Sequence, residues 1–574
     1  MEDKRNIIMA ILLTGLILFG WPYVAGYFFP TPPAQKTAEK SASTDKSDVP
    51  AVAVDTPAKA VALGSALTAN PRVLVETPKL KGSINLEGAR IDDLVLLAHR
   101  EELSKKSPPI RLFAPSGTAK SHFARFGWTG EGTTLPTDKT VWTPSGTKLT
   151  PETPVTLSWT NPEGNKFDIR LSIDKDYLLT AEQSFTNAGT TSAKVAPFGI
   201  ISRKGMSPDP DSWNIHVGPM GVFGGEIVNI NYDEVAEAPK GEIDYTTTGG
   251  WAGETEKYWL SALIPDQKVK IAADFKAGDG YNWTRIRNAE MTEVAPGATA
   301  KQSSQLFAGA KEVEVLQNYT TKLGIPYLDY SIDWGWFWFI AIPFFWILHW
   351  FFGVFGNFGV AIIGLTIVVR IFMFPIAQKQ FASMAQMRAV QPKMQKLQEK
   401  YKDDKPRMQQ EIMKLYQEEK VNPFAGCLPI VLQIPVFFAL YKILMLSIEM
   451  RHQPFALWLK DLSAPDPLTP VNLFGLLPFD PPTFLAIGVL PILLGITMWL
   501  MQRLNPTPMD EIQKQVMGIM PWFLMFIMAP FAAGLQLYWV VSNVISIGQQ
   551  KWLYSRHPIL KQQAAKEAEA KAKA

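Results

Sequence analysis

Long stretches without a charged residue alternate with polar stretches along this chain, and their lengths divide it. A helix that crosses a hydrocarbon core about 30 Å thick needs about 20 apolar residues. The first charge-free run, Asn6 to Pro30, follows Lys4 and Arg5. It exceeds the roughly 7–15-residue apolar core of a cleaved secretory signal, and no A-x-A-like site closes it. Residues 1–30 therefore read as an uncleaved anchor.

The run Trp334–Val369 holds 36 residues, roughly 54 Å as a helix, too long for one span. Gly353, Gly356 and Gly359 offer the break. Before them, Trp334–Phe352 carries eleven Phe or Trp in nineteen residues. That density suits the water–lipid interface, so 330–352 is predicted as an interfacial helix. A second span follows at 353–377, a third at 421–447 and a fourth at 483–502. The run Gln515–Gln550 is again 36 residues; Pro530 and Gly534 split it into spans at 515–531 and 533–552. The sum is six spans.

Charge then orients them. The 378–420 segment carries ten Lys or Arg, the 448–482 loop only Arg451 and Lys460, and the 553–574 tail is basic again. By the positive-inside rule, the basic segment, the tail and the N-terminus are cytoplasmic. Residues 31–59 are Pro-, Ala-, Ser-, Thr- and Lys-rich, a composition that cannot bury a core and reads as a disordered linker. From 60 to 325, alternation as in Phe167–Ile173, with similar runs at Pro154–Trp159 and Glu312–Leu316, predicts a large β-sandwich on the outer side.

Within the basic segment, Met394, Leu397 and Tyr401, and then Met408, Ile412 and Leu415, form short apolar stripes at helical spacing. Asp403-Asp404-Lys405-Pro406 between them suits the start of a second helix. A helical hairpin with basic outer faces is expected at 378–420. Its methionines favour an adaptable docking arm; a merely solvated topogenic loop would explain the charge alone.

Composition removes several function classes. Of 574 residues 19% are charged, below the soluble average of about 25%, and the net charge is only +3. That excludes a general nucleic-acid binder. The single cysteine, Cys427, excludes disulfides and Cys-based zinc or redox motifs, and six histidines lie scattered. Phosphate-binding loops, zinc-protease helices and nucleophile elbows are missing from the sequence. No cofactor, metal or enzymatic chemistry is expected.

Arg370 stands out, because an arginine inside a span costs about 2.5–3.5 kcal/mol on insertion scales. The predicted spans offer it no Asp or Glu, so it is expected to face a hydrated groove, with snorkelling to the headgroups as the competing account. Thr366 lies one turn earlier on the same face. Gln433 lies in the third span. Gln536, Trp539, Asn543, Ser546 and Gln550 make a polar stripe on the last one, which must face protein or water.

These residues resemble the YidC/Oxa/Alb family of membrane protein insertases. The resemblance is carried by Thr366-Ile367-Val368-Val369-Arg370 with Pro375, Met384-Ala385-Gln386-Met387-Arg388 with Gln391-Pro392-Lys393, and Glu419-Lys420-Val421-Asn422-Pro423. It continues through Gly426-Cys427-Leu428-Pro429, Gln433-Ile434-Pro435, Pro454-Phe455-Ala456-Leu457-Trp458 and Gly534 to Asn543. It spans about 330–555, and the long outer domain resembles the Gram-negative form. The resemblance implies a polytopic α-helical membrane protein with a five-helix core, a periplasmic β-sandwich and a cytoplasmic hairpin. It implies a non-enzymatic insertase and chaperone of inner-membrane proteins, acting alone or with the Sec translocon. Its essential arginine would be Arg370, and the groove would include Thr366, Gln433, Tyr538 and Trp539. This chain has Trp539 where the family often has Tyr, so a hydroxyl is missing there. The implied partners are nascent inner-membrane proteins, the bilayer, the Sec translocon (SecYEG and SecDF), the ribosome and the signal-recognition-particle receptor. A small-solute channel or transporter, and a membrane-anchored carbohydrate-binding protein, are the alternative readings. The stretch 463–482 is longer than the resemblance accounts for.

Overall fold

The structure is a computed structural model that describes residues 60–209, 215–402, 404–419, 428–474, 476–477, 479, 482, 486–504 and 511–556. The expected anchor and linker, most of the tail, and Asn422, Pro423, Gly426 and Cys427 lie outside the described residues. The chain divides into two compact units, one up to Trp336 and one from Phe337.

The first unit is built from an eleven-stranded and a nine-stranded sheet. In the first sheet, Ala193–Lys204 lies between His122–Glu131 and Tyr281–Asn288, antiparallel to both. In the second, Thr299–Ala310 lies between Leu178–Thr186 and Trp259–Pro265. Alternation works here as read: in Lys166–Ile173 the side chains of Phe167, Ile169, Leu171 and Ile173 are buried. The sheets stack closely; a Cβ added at Gly199 of the first would come within 2.9 Å of Leu263 in the second. Glu312–Leu316 departs from the strand reading. Glu312 precedes the helix Val313–Lys322, which buries Val313, Leu316 and Tyr319. Five residues cannot separate the two periods: Val313 and Val315 fit alternation, and the spacing of three from Val313 to Leu316 repeats only when Tyr319 is included.

Charges tie the sandwich internally. Arg203 donates to Glu254 at 2.8 Å and also to Glu256, crossing from one sheet to the other. Such a pair is costly to break, because removing one partner leaves a buried charge. The neighbouring His122 is buried, with Nδ1 3.0 Å from the Leu112 carbonyl oxygen and 3.2 Å from Arg203. Burial, then the Arg203 charge, hold its imidazole well below its usual range. Near one sheet end, burial pushes the Asp274 carboxyl up to about 7 despite its 2.5 Å bond from Arg285.

The second unit is helical. We number its helices α1 (Trp338–Phe355), α2 (Phe358–Lys400), α3 (Lys405–Glu418), α4 (Leu428–Leu446), α5 (Val489–Leu504), α6 (Glu511–Met528) and α7 (Ala533–Arg556). The α1 helix and the Phe358–Ser383 part of α2 are long and apolar enough to cross a membrane; Leu432–Leu446, Val489–Leu504 and Met517–Met528 are shorter apolar stretches. The α7 helix packs on α2 and α5, α1 packs on α2 and α4, and α6 packs on α5.

Several boundaries differ from the sequence reading. The break in the first long run falls at Gly356, left-handed at φ 63°. Asn357 then caps α2, its side chain accepting from the Val360 amide at 3.1 Å. From there the predicted second span and the first hairpin helix are one continuous helix of 43 residues, about 64 Å long. It runs through Pro375 and Pro392; each proline removes one backbone hydrogen bond without ending the helix. The α3 helix folds back on it. Val390, Met394 and Leu415 form a small buried core with Met387, Leu397, Ile412 and Tyr416 around it, and Lys393 pairs with Glu419 at 2.5 Å. The α5 helix starts at Val489, later than the predicted 483, because its first amides are held from outside. Leu490 donates to Asp466 at 2.8 Å and Val489 to the Leu468 carbonyl at 3.0 Å.

The state of His122 sets a pH dependence for the sandwich. Its folded pKa lies below the unfolded value, so the unfolded chain binds the proton first. The stability is fully present above the unfolded pKa near 6.5 and declines as pH falls below it, by at most about 1.4 kcal/mol per pH unit. His122→Gln should be less stable than the parent at pH 8, and the gap should shrink towards pH 5. Thermal midpoints of both proteins at the two pH values check this; a constant gap would mean that the imidazole does not titrate differently on unfolding.

Candidate functional site

The candidate residues meet where α2, α4 and α7 approach one another. On α2, Ile362, Leu365, Thr366 and Val369 are buried, while Ile367, Ile371 and Phe372 are exposed. Between these faces sits Arg370, half-buried and twelve residues into the helix, about 18 Å from its start. Its Nε donates to the Ser542 hydroxyl on α7 at 2.9 Å, and Nη2 reaches the same oxygen. Among the described residues no carboxylate pairs with it. None of its nitrogens is both sealed from solvent and unpartnered. A guanidinium has five donors, so one serine hydroxyl leaves most of that capacity facing accessible space.

A short polar chain continues from Ser542. One turn earlier on α7, the buried Tyr538 lies beside it and accepts from the Gln433 amide of α4 at 2.9 Å. Arg370, Ser542, Tyr538 and Gln433 thus link three helices. Trp539 turns to the aromatic side, its ring 5.4 Å from that of Phe437 on α4.

The other candidates have local partners. Thr366 is fully buried and its hydroxyl donates to the Ile362 carbonyl of its own helix at 2.7 Å. Asn543 donates to Thr497 of α5 at 3.1 Å. Ser546 donates to the Ser542 carbonyl at 2.9 Å. Gln536 donates to the Met528 and Phe531 carbonyls, at 2.8 and 2.9 Å, closing the end of α6. So the polar stripe on α7 is largely turned to protein, and Arg370 is served by a residue just off it. Ser542 was missed for that reason. The one available signal was its place four residues after Tyr538.

The loop after α4 closes one end of this bundle. Asn357 donates to the Phe455 carbonyl at 2.8 Å. The Ala533 and Gly534 amides, at the start of α7, donate to Ala464 and Leu462 at 2.8 and 2.9 Å. Gly359 is required here, since a Cβ would lie 2.0 Å from the Phe455 ring. The site therefore sits between a fixed end, where α2, α5 and α7 begin, and the end from which the α2–α3 hairpin extends.

A family model described as "60Kd inner membrane protein" matches residues 350–562, and one described as "YidC periplasmic domain" matches residues 72–347. A protein of Zymomonas mobilis called "Membrane protein insertase YidC" is 46% identical over 569 residues, covering 97% of this chain and 96% of that protein. Proteins with the same name from Sinorhizobium fredii and Bradyrhizobium diazoefficiens are 44% and 41% identical, each over 97% of this chain and over 96% and 97% of their own lengths. The chain belongs to the YidC family of membrane protein insertases. It is therefore a multi-pass inner-membrane protein with a periplasmic β-sandwich domain, and not an enzyme. Every insertase candidate residue named above, from Thr366 to Ser546, lies inside the stretch matched by the inner-membrane model.

The Arg370–Ser542 bond gives a direct test. Residues that share a hydrogen bond show coupling energies of about 0.5–3 kcal/mol in double-mutant cycles. Arg370→Ala and Ser542→Ala should be coupled in the unfolding of the purified protein, whereas Arg370→Ala and Asn543→Ala should add. Additive effects for both pairs would mean that the serine does not hold the guanidinium.

Proposed function

We propose that this insertase brings nascent inner-membrane proteins into the bilayer through a hydrophilic groove centred on Arg370. The single observation that carries this reading is a guanidinium inside the helical bundle with one serine as its partner and no counter-ion among the described residues. A polar segment entering hydrocarbon faces a penalty of several kcal/mol per unsatisfied group. A wetted cation lowers that penalty for acidic or carbonyl-rich segments. The substrate's own apolar span then moves into lipid, driven by burial of its apolar surface. No covalent step is required. Gln433, Tyr538 and Ser542 hold the cation in place; Thr366, Trp539, Asn543 and Ser546 shape the surrounding wall.

In this reading α2, α4, α5, α6, α7 and the N-terminal segment make six spans, and α1 lies along the outer interface with its aromatic rings at the headgroups. The N- and C-termini and the α2–α3 hairpin are cytoplasmic, following the Lys and Arg distribution. The hairpin receives substrate. Its lysines Lys393, Lys396, Lys400 and Lys414, together with Glu411 and Glu418, line a groove of about 310 Å³ between the two helices. The insertase works alone or beside the Sec translocon, and the ribosome and the signal-recognition-particle receptor dock on the cytoplasmic face.

If Arg370 acts by charge, Arg370→Lys retains substantial insertion and Arg370→Ala loses it for substrates with acidic translocated tails. Lys keeps the charge but not the planar fork. The measurement compares an acidic-tailed substrate with its neutralised counterpart at matched protein levels. Equal defects on both, or a Lys variant as inactive as Ala, would leave Arg370 as a scaffold residue.

Deleting residues 384–415 should reduce insertion while the remaining spans stay folded. Insertion rate and protease resistance of the membrane part, measured together, check it. Unchanged insertion would remove the hairpin from the receiving role.

A further inference from the structure

The loop between α4 and α5 has a buried root and an apolar tip. At the root, Asp466 is buried and takes three donors: the Trp458 indole at 2.9 Å, the Leu468 amide at 3.0 Å and the Leu490 amide at 2.8 Å. Gly488 lies directly beneath it, where a Cβ would come 2.6 Å from that of Asp466. Beyond the root, residues 467–479 contain no charge. Val471, Leu473, Phe474, Leu476, Leu477 and Phe479 are all exposed, Leu476 at 81%.

Several of the tip's described amides are bonded within the tip. The Phe474 amide donates to Thr469 at 2.9 Å, Leu473 to Pro470 at 3.0 Å, Leu477 to Asn472 at 3.0 Å and Phe479 to Leu477 at 2.9 Å. Leu473 and Phe474 both hold left-handed backbone, at φ 50° and 59°, which costs a side-chain-bearing residue energy and is kept only when the surroundings demand it. An apolar surface with its backbone bonds closed internally is what hydrocarbon tolerates. Water does not reward it. The root of the tip is bonded to the start of α5, whose outward residues Leu493, Ile496, Leu500 and Leu504 are exposed and apolar in turn. Asp466 and Asp480 mark where charge resumes.

We propose that this tip is a membrane-inserted tongue that dips into the leaflet at the closed end of the bundle, its occupant being lipid. The inference rests on the membrane-embedded reading of α5, and on the proposed orientation only for naming that leaflet as the outer one. In a Cys427→Ser background, single cysteines at Leu476→Cys and, separately, Phe479→Cys would carry an environment-sensitive fluorophore. The full chain is reconstituted in phospholipid vesicles, with Ile496→Cys reporting α5 and Lys460→Cys reporting the aqueous flank.

The expected result is that the Leu476 and Phe479 labels lose most of their emission to nitroxide-bearing lipids and little to aqueous iodide, while the Lys460 label shows the reverse. Iodide quenching at both tip positions would overturn the proposal by placing the tongue in water. Labels shielded from both quenchers would overturn it by placing protein over the tip, a second copy if the shielding fades as the lipid-to-protein ratio rises. The Ile496 label separates this failure from a wider one. Lipid quenching there with none at the tip rejects the tongue alone, and none at either site rejects α5 as a membrane helix.

Discussion

A guanidinium about 18 Å along a membrane helix must be solvated by something, and the helical unit is arranged around that requirement. Lipid cannot do it and no carboxylate is offered among the described residues, so Ser542 takes one edge and accessible space takes the rest. The rest of the bundle narrows what the arginine can do. Asn543 bonds to Thr497, and Gln536 closes the end of α6. These contacts fix α7 against its neighbours, so that Ser542 and Tyr538 face α2 and α4. The polar groups on α7 thus divide the work between holding the helices and holding the cation.

The outer unit uses charge differently. In the sandwich, Arg203 is enclosed with two glutamates, Arg72 with Asp92 and Arg285 with Asp274. These buried cations are matched by carboxylates, whereas Arg125, also buried, lies over the Phe198 ring. In the helical unit Arg370 has no carboxylate partner among the described residues. Arginine thus sits between carboxylates in the sandwich and beside a serine in the bundle.

Much of this was legible before any coordinates. A lone arginine in a long uncharged run is conspicuous because hydrocarbon makes every charge expensive, and period-two alternation at Phe167–Ile173 reads directly as a half-buried strand. The misses have physical causes. Glu312–Leu316 is too short to show its period. The hairpin and the second span merge because a proline at 375 removes one hydrogen bond from a helix that its neighbours already support. Ser542 carries no mark of its role, since a serine on a helix looks the same whether it faces an arginine or a carbonyl. Thr366, chosen for sharing a face with Arg370, uses its hydroxyl on its own helix. The start of α5 depended on Asp466, a residue far enough back in the chain that no local pattern connects the two.

Pro375 has a mechanical meaning. It lies five residues beyond Arg370, and without its amide hydrogen the carbonyl of Ile371 has no partner along the helix. The hydrogen-bond ladder of the long rod is therefore interrupted just past the arginine, as it is again at Pro392. On one side the rod is clamped by Asn357, Gly359 and the packing on α7; on the other it ends in the small Val390–Met394–Leu415 core. The first missing bond falls between the stretch that keeps the guanidinium in register with Ser542 and the stretch that carries the Val390–Met394–Leu415 core, so the two are joined by a helix with one bond fewer at their boundary.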